Sequence, residues 1–69
     1  MKKVLGYQVF SSDDGLLLGD AGTVMSWQDA AEIAEEVSYN DMCECEIWRV
    51  YEDGTTWTAA HYFDGVRED

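Results

Sequence analysis

The stretch that decides the fold is Cys43-Glu44-Cys45-Glu46-Ile47-Trp48-Arg49-Val50-Tyr51-Glu52-Asp53-Gly54-Thr55-Thr56-Trp57-Thr58-Ala59-Ala60-His61-Tyr62-Phe63. Two runs rich in aromatic and β-branched residues flank an Asp-Gly pair, which is the strongest short-range signal for a β-hairpin. Strands are predicted over 43–52 and 55–63. A two-residue loop at Asp53-Gly54 would pair Glu52 with Thr55, Val50 with Trp57 and Glu46 with His61. Side chains alternate along a strand, so one face carries Cys43, Cys45, Ile47, Arg49, Tyr51, Thr56, Thr58, Ala60 and Tyr62. The other carries Glu44, Glu46, Trp48, Val50, Glu52, Trp57, Ala59, His61 and Phe63. The first face holds fewer charges and is assigned to the core; a β-bulge would exchange the two faces locally.

Working back toward the N-terminus, Ser26 is a predicted helix N-cap, with Asp29 three residues on and Met25 before it in the hydrophobic-staple position. Trp27, Ala30, Ala31, Ala34 and Val37 recur at helical spacing, and Asp29, Glu32 and Glu36 project from the opposite side. The helix is expected to end near Ser38-Tyr39-Asn40. Before it, 4–11 alternates as a strand, Ser11-Ser12-Asp13-Asp14-Gly15 is a turn cluster, and Leu16-Leu17-Leu18 pairs back until Gly19-Asp20-Ala21-Gly22 breaks it. The tail 64–69 is polar and is expected to fray. The prediction is one α+β domain over 1–69, with a four-stranded, mainly antiparallel sheet, one helix on one face and the order ββαββ.

Charge is the other dominant signal. The 69 residues carry 15 Asp and Glu against 4 Lys and Arg, a formal net charge of −11. That exceeds the magnitude of about 2–8 that keeps a small domain soluble, and it sets up a negative field that repels nucleic acid and anionic membranes. A basic protein is the fitting partner; an acidic face that serves only for solvation is the alternative. Three Trp, four Tyr and two Phe argue for a folded chain. Met1-Lys2-Lys3 resembles a signal n-region for three residues, but Asp13 and Asp14 interrupt any apolar run. A cytoplasmic protein with reduced Cys43 and Cys45 is expected, since thiols two apart on one strand are badly placed for an unstrained disulfide.

Catalytic and metal chemistry find little to stand on, and neither catalytic residues nor a cofactor is expected. His61, the one histidine, is predicted on the face opposite both cysteines, so a His–Glu46 cross-strand pair is favoured over a thiol catalytic set. Cys43-x-Cys45 lacks the second ligand pair of a structural zinc site, and Asp13-Asp14-Gly15 with Asp20 lacks the alternation of a calcium loop. Gly19-x-x-Gly22 has no following Lys and is no phosphate loop.

The acids form a series along Asp29, Glu32, Glu35, Glu36, Asp41, Glu44, Glu46, Glu52 and Asp53, on helix, turns and one strand face. At helical i, i+3 and i, i+4 spacing, or alternating on a strand, carboxylates stand about 5–7 Å apart, close to the phosphate spacing of one DNA strand. Trp48 and Trp57 beside them are expected to form an exposed aromatic patch, with burial in the core as the alternative for each.

In its Met1-Lys2-Lys3 start, its strand–helix–hairpin layout, the helix opening Ser26-Trp27-Gln28-Asp29-Ala30-Ala31 and the acid run from Asp29 to Asp53, the chain resembles the small acidic phage-encoded DNA-mimic proteins, anti-CRISPR proteins in particular. That resemblance implies stoichiometric inhibition, in which the protein occupies the DNA-binding channel of a CRISPR effector complex. The same charge logic suits an antitoxin or immunity-type protein that plugs a basic nuclease toxin.

Overall fold

The computed structural model describes residues 2–13, 15–18 and 24–68; the turn reading at Asp14, the break at Gly19-Asp20-Ala21-Gly22 and the acid at Asp20 lie outside the described residues. The elements are β1 (Val4–Ser11), β2 (Leu16–Leu18), α1 (Trp27–Asn40), β3 (Cys45–Tyr51), β4 (Thr56–Phe63) and β5 (Val66–Arg67). They form an α+β fold, a five-stranded antiparallel sheet in the order β2-β1-β3-β4-β5 with the helix against one face.

The helix begins where its cap dictates. Ser26 has extended φ and ψ, and its Oγ accepts from the Asp29 amide at 3.2 Å, which satisfies one of the donors that a helix N-terminus leaves unpaired. Ala30 and Ala34 are fully buried, and their small side chains let the helix lie close over Val9, Cys45, Ile47, Ala60 and Tyr62. Tyr7 meets Trp27 edge to face at 5.1 Å between ring centroids. The backbone of Met25 exchanges two 2.8 Å hydrogen bonds with Tyr7, so the helix is tied to β1 at its entrance.

The β3–β4 hairpin departs from its predicted register near the turn. Gly54 N–H donates to the Tyr51 carbonyl and Tyr51 N–H to the Thr55 carbonyl, so the loop holds three residues, Glu52-Asp53-Gly54, with Gly54 at φ +87°. Val50 therefore pairs with Thr56, and Trp57 with Arg49. A second irregularity cancels the first. Ile47 pairs with Ala60 and Trp48 with Thr58, leaving Ala59 as the extra residue of a bulge, and beyond it Glu46 faces His61 as predicted. Cys45, Ile47, Ala60 and Tyr62 thus keep the expected core face, while Trp57 crosses from the outer face to the helix side.

The tail does not fray as far as Glu68. Asp64 and Gly65, at φ +53° and +77°, make a two-residue turn that folds Val66–Arg67 back on Tyr62 and Phe63. Both turn residues need positive φ, which Asp tolerates and Gly adopts freely, and this is the hairpin geometry that Asp-Gly favours. The turn is clamped to the helix from below. Gly65 N–H donates to Ser38 Oγ at 3.0 Å, and that buried hydroxyl donates to the Glu35 carbonyl at 3.2 Å.

Candidate functional site

The helix places its carboxylates by periodicity. With Ala30, Ala34 and Ser38 buried, Asp29, Glu32, Glu35 and Glu36 are all exposed on the solvent side. Asp29 sits in the first turn, where a negative charge suits the helix dipole. Glu32, Glu35 and Glu36, with Tyr39 and Asn40, form one wall of an open groove of about 680 Å³ whose other wall is Asp64 and Gly65. Tyr39 is 64% exposed and packs against the Gly65 backbone, so an aromatic ring lies between the helical acids and Asp64. Sequence reasoning missed Asp64 and Tyr39. The Asp64-Gly65 pair was the available signal, and reading the tail as frayed obscured it.

The acidic surface continues around the helix C-terminus. Asp41 is the C-cap, its amide donating to the Val37 carbonyl at 2.9 Å. Asp13 and Glu44 are exposed in the neighbouring turns, with the Ser12 amide bonded to the Glu44 carbonyl at 3.0 Å. Glu44 and Glu68, with His61 and Tyr62, line a second depression of about 180 Å³. Burial above all, then the neighbouring Cys43 thiol, with smaller additions from Asp13 and Asp41, pushes the Cys45 thiol up to about 12.

Three of the predicted acids do not belong to this surface. Glu46 is consumed internally, accepting from Trp48 Nε1 at 3.0 Å, Ser12 Oγ at 3.2 Å and Thr58 Oγ1 at 3.2 Å. The Trp48 bond leads in holding its carboxyl below the usual range. Asp53 accepts from the Thr55 hydroxyl at 2.6 Å and the Thr55 amide at 3.0 Å, and pairs with Lys2 Nζ at 3.1 Å, which lowers it to about 2. Glu52 lies in the same loop, its amide bonded to the Lys3 carbonyl. This loop end of the sheet also holds Lys2 and Lys3, with Arg49 nearby among Tyr7 and Tyr51, whose side chains raise the guanidinium's basicity further. The alternation expected of the strand acids is therefore broken, and the helical acids remain.

The two tryptophans are not brought together either. Trp48 is half-buried on the outer sheet face, stacked on Phe10 at 4.6 Å with an 18° interplanar angle. Trp57 is 68% exposed on the other face beside Arg49, because the Ala59 bulge reverses its side. Cys43 and Cys45 are free, buried thiols with sulfurs 3.9 Å apart, and His61 lies on the face away from them. Among the described residues no three His, Cys, Asp or Glu side chains are grouped to hold a metal ion, and no helix is long and apolar enough to cross a membrane. Compared with protein-family models, with curated proteins and with solved structures, the chain matches none.

Proposed function

We propose that this protein is a non-enzymatic inhibitor that occupies a basic, nucleic-acid-binding surface of another protein in place of DNA. The observation that carries this reading is the row of exposed carboxylates Glu32, Glu35 and Glu36 on one rigid helix, extended by Asp64 across the groove and by Asp41 and Glu44 past the helix end. Neighbouring acids on a helix stand about 5–6 Å apart, and the sheet behind them fixes that spacing before any partner arrives, so little ordering entropy opposes binding. A groove built to neutralise regularly spaced phosphates meets a similar charge pattern here. Tyr39, between acids, offers a ring face to an incoming Lys or Arg. In keeping with its resemblance to the anti-CRISPR proteins, the target to try first is a CRISPR effector complex.

The test is competition for duplex DNA on a purified effector, at several salt concentrations. The wild-type protein is expected to displace DNA, with an affinity that falls steeply as salt rises. Glu32→Lys with Glu36→Lys should weaken displacement by roughly tenfold to a hundredfold, whereas Glu46→Gln should change it little. Binding indifferent to salt, or a doubly reversed helix that inhibits as well as wild type, would sink the proposal.

A further inference from the structure

The face of the sheet away from the helix is built differently from the rest of this acidic molecule. Among the described strand residues it carries one carboxylate, Glu46, and that group is already bonded to Trp48, Ser12 and Thr58. Around it lie the Phe10–Trp48 stack, Leu17, Phe63 and Val66, the last three exposed at 37%, 39% and 62%. Glu44 and Glu68 stand at the rim, beside His61.

We infer that this outer face is the interface of a two-fold homodimer, in which a second copy of the chain packs its own outer face against it. Three arguments select that occupant. A basic partner finds no unpaired acid to meet at the centre of this face, so its charge belongs on the helix side. Glu46, Trp48, Ser12 and Thr58 are hydrogen-bonded to one another within the chain and keep those partners when the face is covered, which limits the desolvation cost to the exposed Thr56 and His61 nearer its edge. The complementary surface must itself be largely apolar, with no charge at its centre beyond the hydrogen-bonded Glu46 carboxylate, and the outer face of a second copy has that character, as an isologous interface requires.

The size fits a modest dimer. Five strands about 4.8 Å apart, the longer ones rising about 3.3 Å per residue, present roughly 500 Å² of flat face, which side-chain relief brings toward the ~800 Å² per partner of a standard interface. Sheets stacked this way lie about 10 Å apart and leave both acidic helices on the outside.

Charge gives the dimer a signature opposite to that of target binding. Two copies at −11 each repel, so salt strengthens their association by screening. Sedimentation equilibrium should show the mass moving from 7.8 kDa toward twice that value as protein and salt increase. The dissociation constant should fall about tenfold between ~0.05 and ~0.5 M salt. Val66→Glu or Phe63→Glu should keep the protein monomeric throughout; Val66 is so exposed that its variant tests the interface even if Phe63→Glu fails to fold by near-ultraviolet circular dichroism. Glu32→Lys with Glu36→Lys, which should weaken the proposed DNA mimicry, should leave the dimer intact or tighter. A 7.8 kDa species at every concentration and salt, a dimer that weakens with salt, or one that survives both outer-face substitutions would overturn the inference.

Discussion

Glu36 and Glu46 are the same residue type, and their surroundings put them to opposite uses. Glu36 is exposed on the helix with no partner among the described hydrogen bonds or ion pairs, whereas Glu46 accepts three hydrogen bonds and holds the outer face together. Its role depends on which residues a bulged register brings across from it, which alternation alone does not reveal. Gly6 is a second position where neighbours decide. A Cβ there would strike the Val24 side chain and come within 2.8 Å of the Met25 carbonyl oxygen. That oxygen accepts from Tyr7 N–H at 2.8 Å, so it has no room to yield without breaking the bridge between β1 and the helix entrance. Gly6→Ala should destabilise the fold by about 2–3 kcal/mol, lowering Tm by on the order of 10 °C. Adding Val24→Ala should restore only part of the loss, because the carbonyl contact remains. Thermal unfolding of the two variants beside the wild type checks this, and an unchanged Tm for Gly6→Ala would refute it.

At the scale of elements, the helix carries its acids against its own stability. Glu32 and Glu36 are like charges at i, i+4, Glu32 and Glu35 at i, i+3, and the last turn has no basic residue to meet the negative end of the dipole. Glu36→Lys replaces a repulsive pair with a Glu-to-Lys pair in the favourable order, so it should stabilise the protein by about 0.5–1 kcal/mol while weakening DNA displacement. Denaturant unfolding beside the competition assay separates the two effects; a variant that loses stability and activity together would mean that Glu36 is merely structural. The helix was legible in the sequence because Ser26, Asp29 and the alanine stripe are local signals that agree. The hairpins were legible only in part. Asp-Gly marks both turns, at Asp53-Gly54 and Asp64-Gly65, but the first became part of a three-residue loop and the second, hidden in a polar tail, made the two-residue turn. Loop length and the compensating Ala59 bulge are set by how β4 must twist to bring Ala60 and Tyr62 under the helix, a tertiary demand. For that reason the core face was readable while the side taken by Trp57 was not, and with Trp57 went the expected aromatic patch.

Across the whole molecule the charges are sorted. Lys2, Lys3 and Arg49 gather toward the Glu52-Asp53-Gly54 loop, the unpaired acids gather on the helix and around its C-terminal end, and the outer sheet face is nearly neutral. A net charge of −11 on 69 residues means that repulsion opposes the compact state, and the concentration of acids at one end, felt even by the buried Cys45 thiol, makes that opposition local. Salt should therefore act in two directions on one protein: it screens the repulsion that strains the fold and also the attraction that would hold a basic target. The monomeric Val66→Glu variant isolates the first effect from dimerisation. Its Tm should rise by several degrees between ~0.02 and ~0.5 M sodium chloride, most of the gain coming before the Debye length falls below about 10 Å. Over the same range DNA displacement by the wild type should decline. Glu32→Lys with Glu36→Lys should show a shallower rise in Tm, because the repulsion it relieves is the part that salt would have screened. A Tm that stays flat or falls with salt in the Val66→Glu variant would mean that these acids are neutralised within the folded chain, and a surface neutralised in that way has no charge left to offer a nucleic-acid-binding groove.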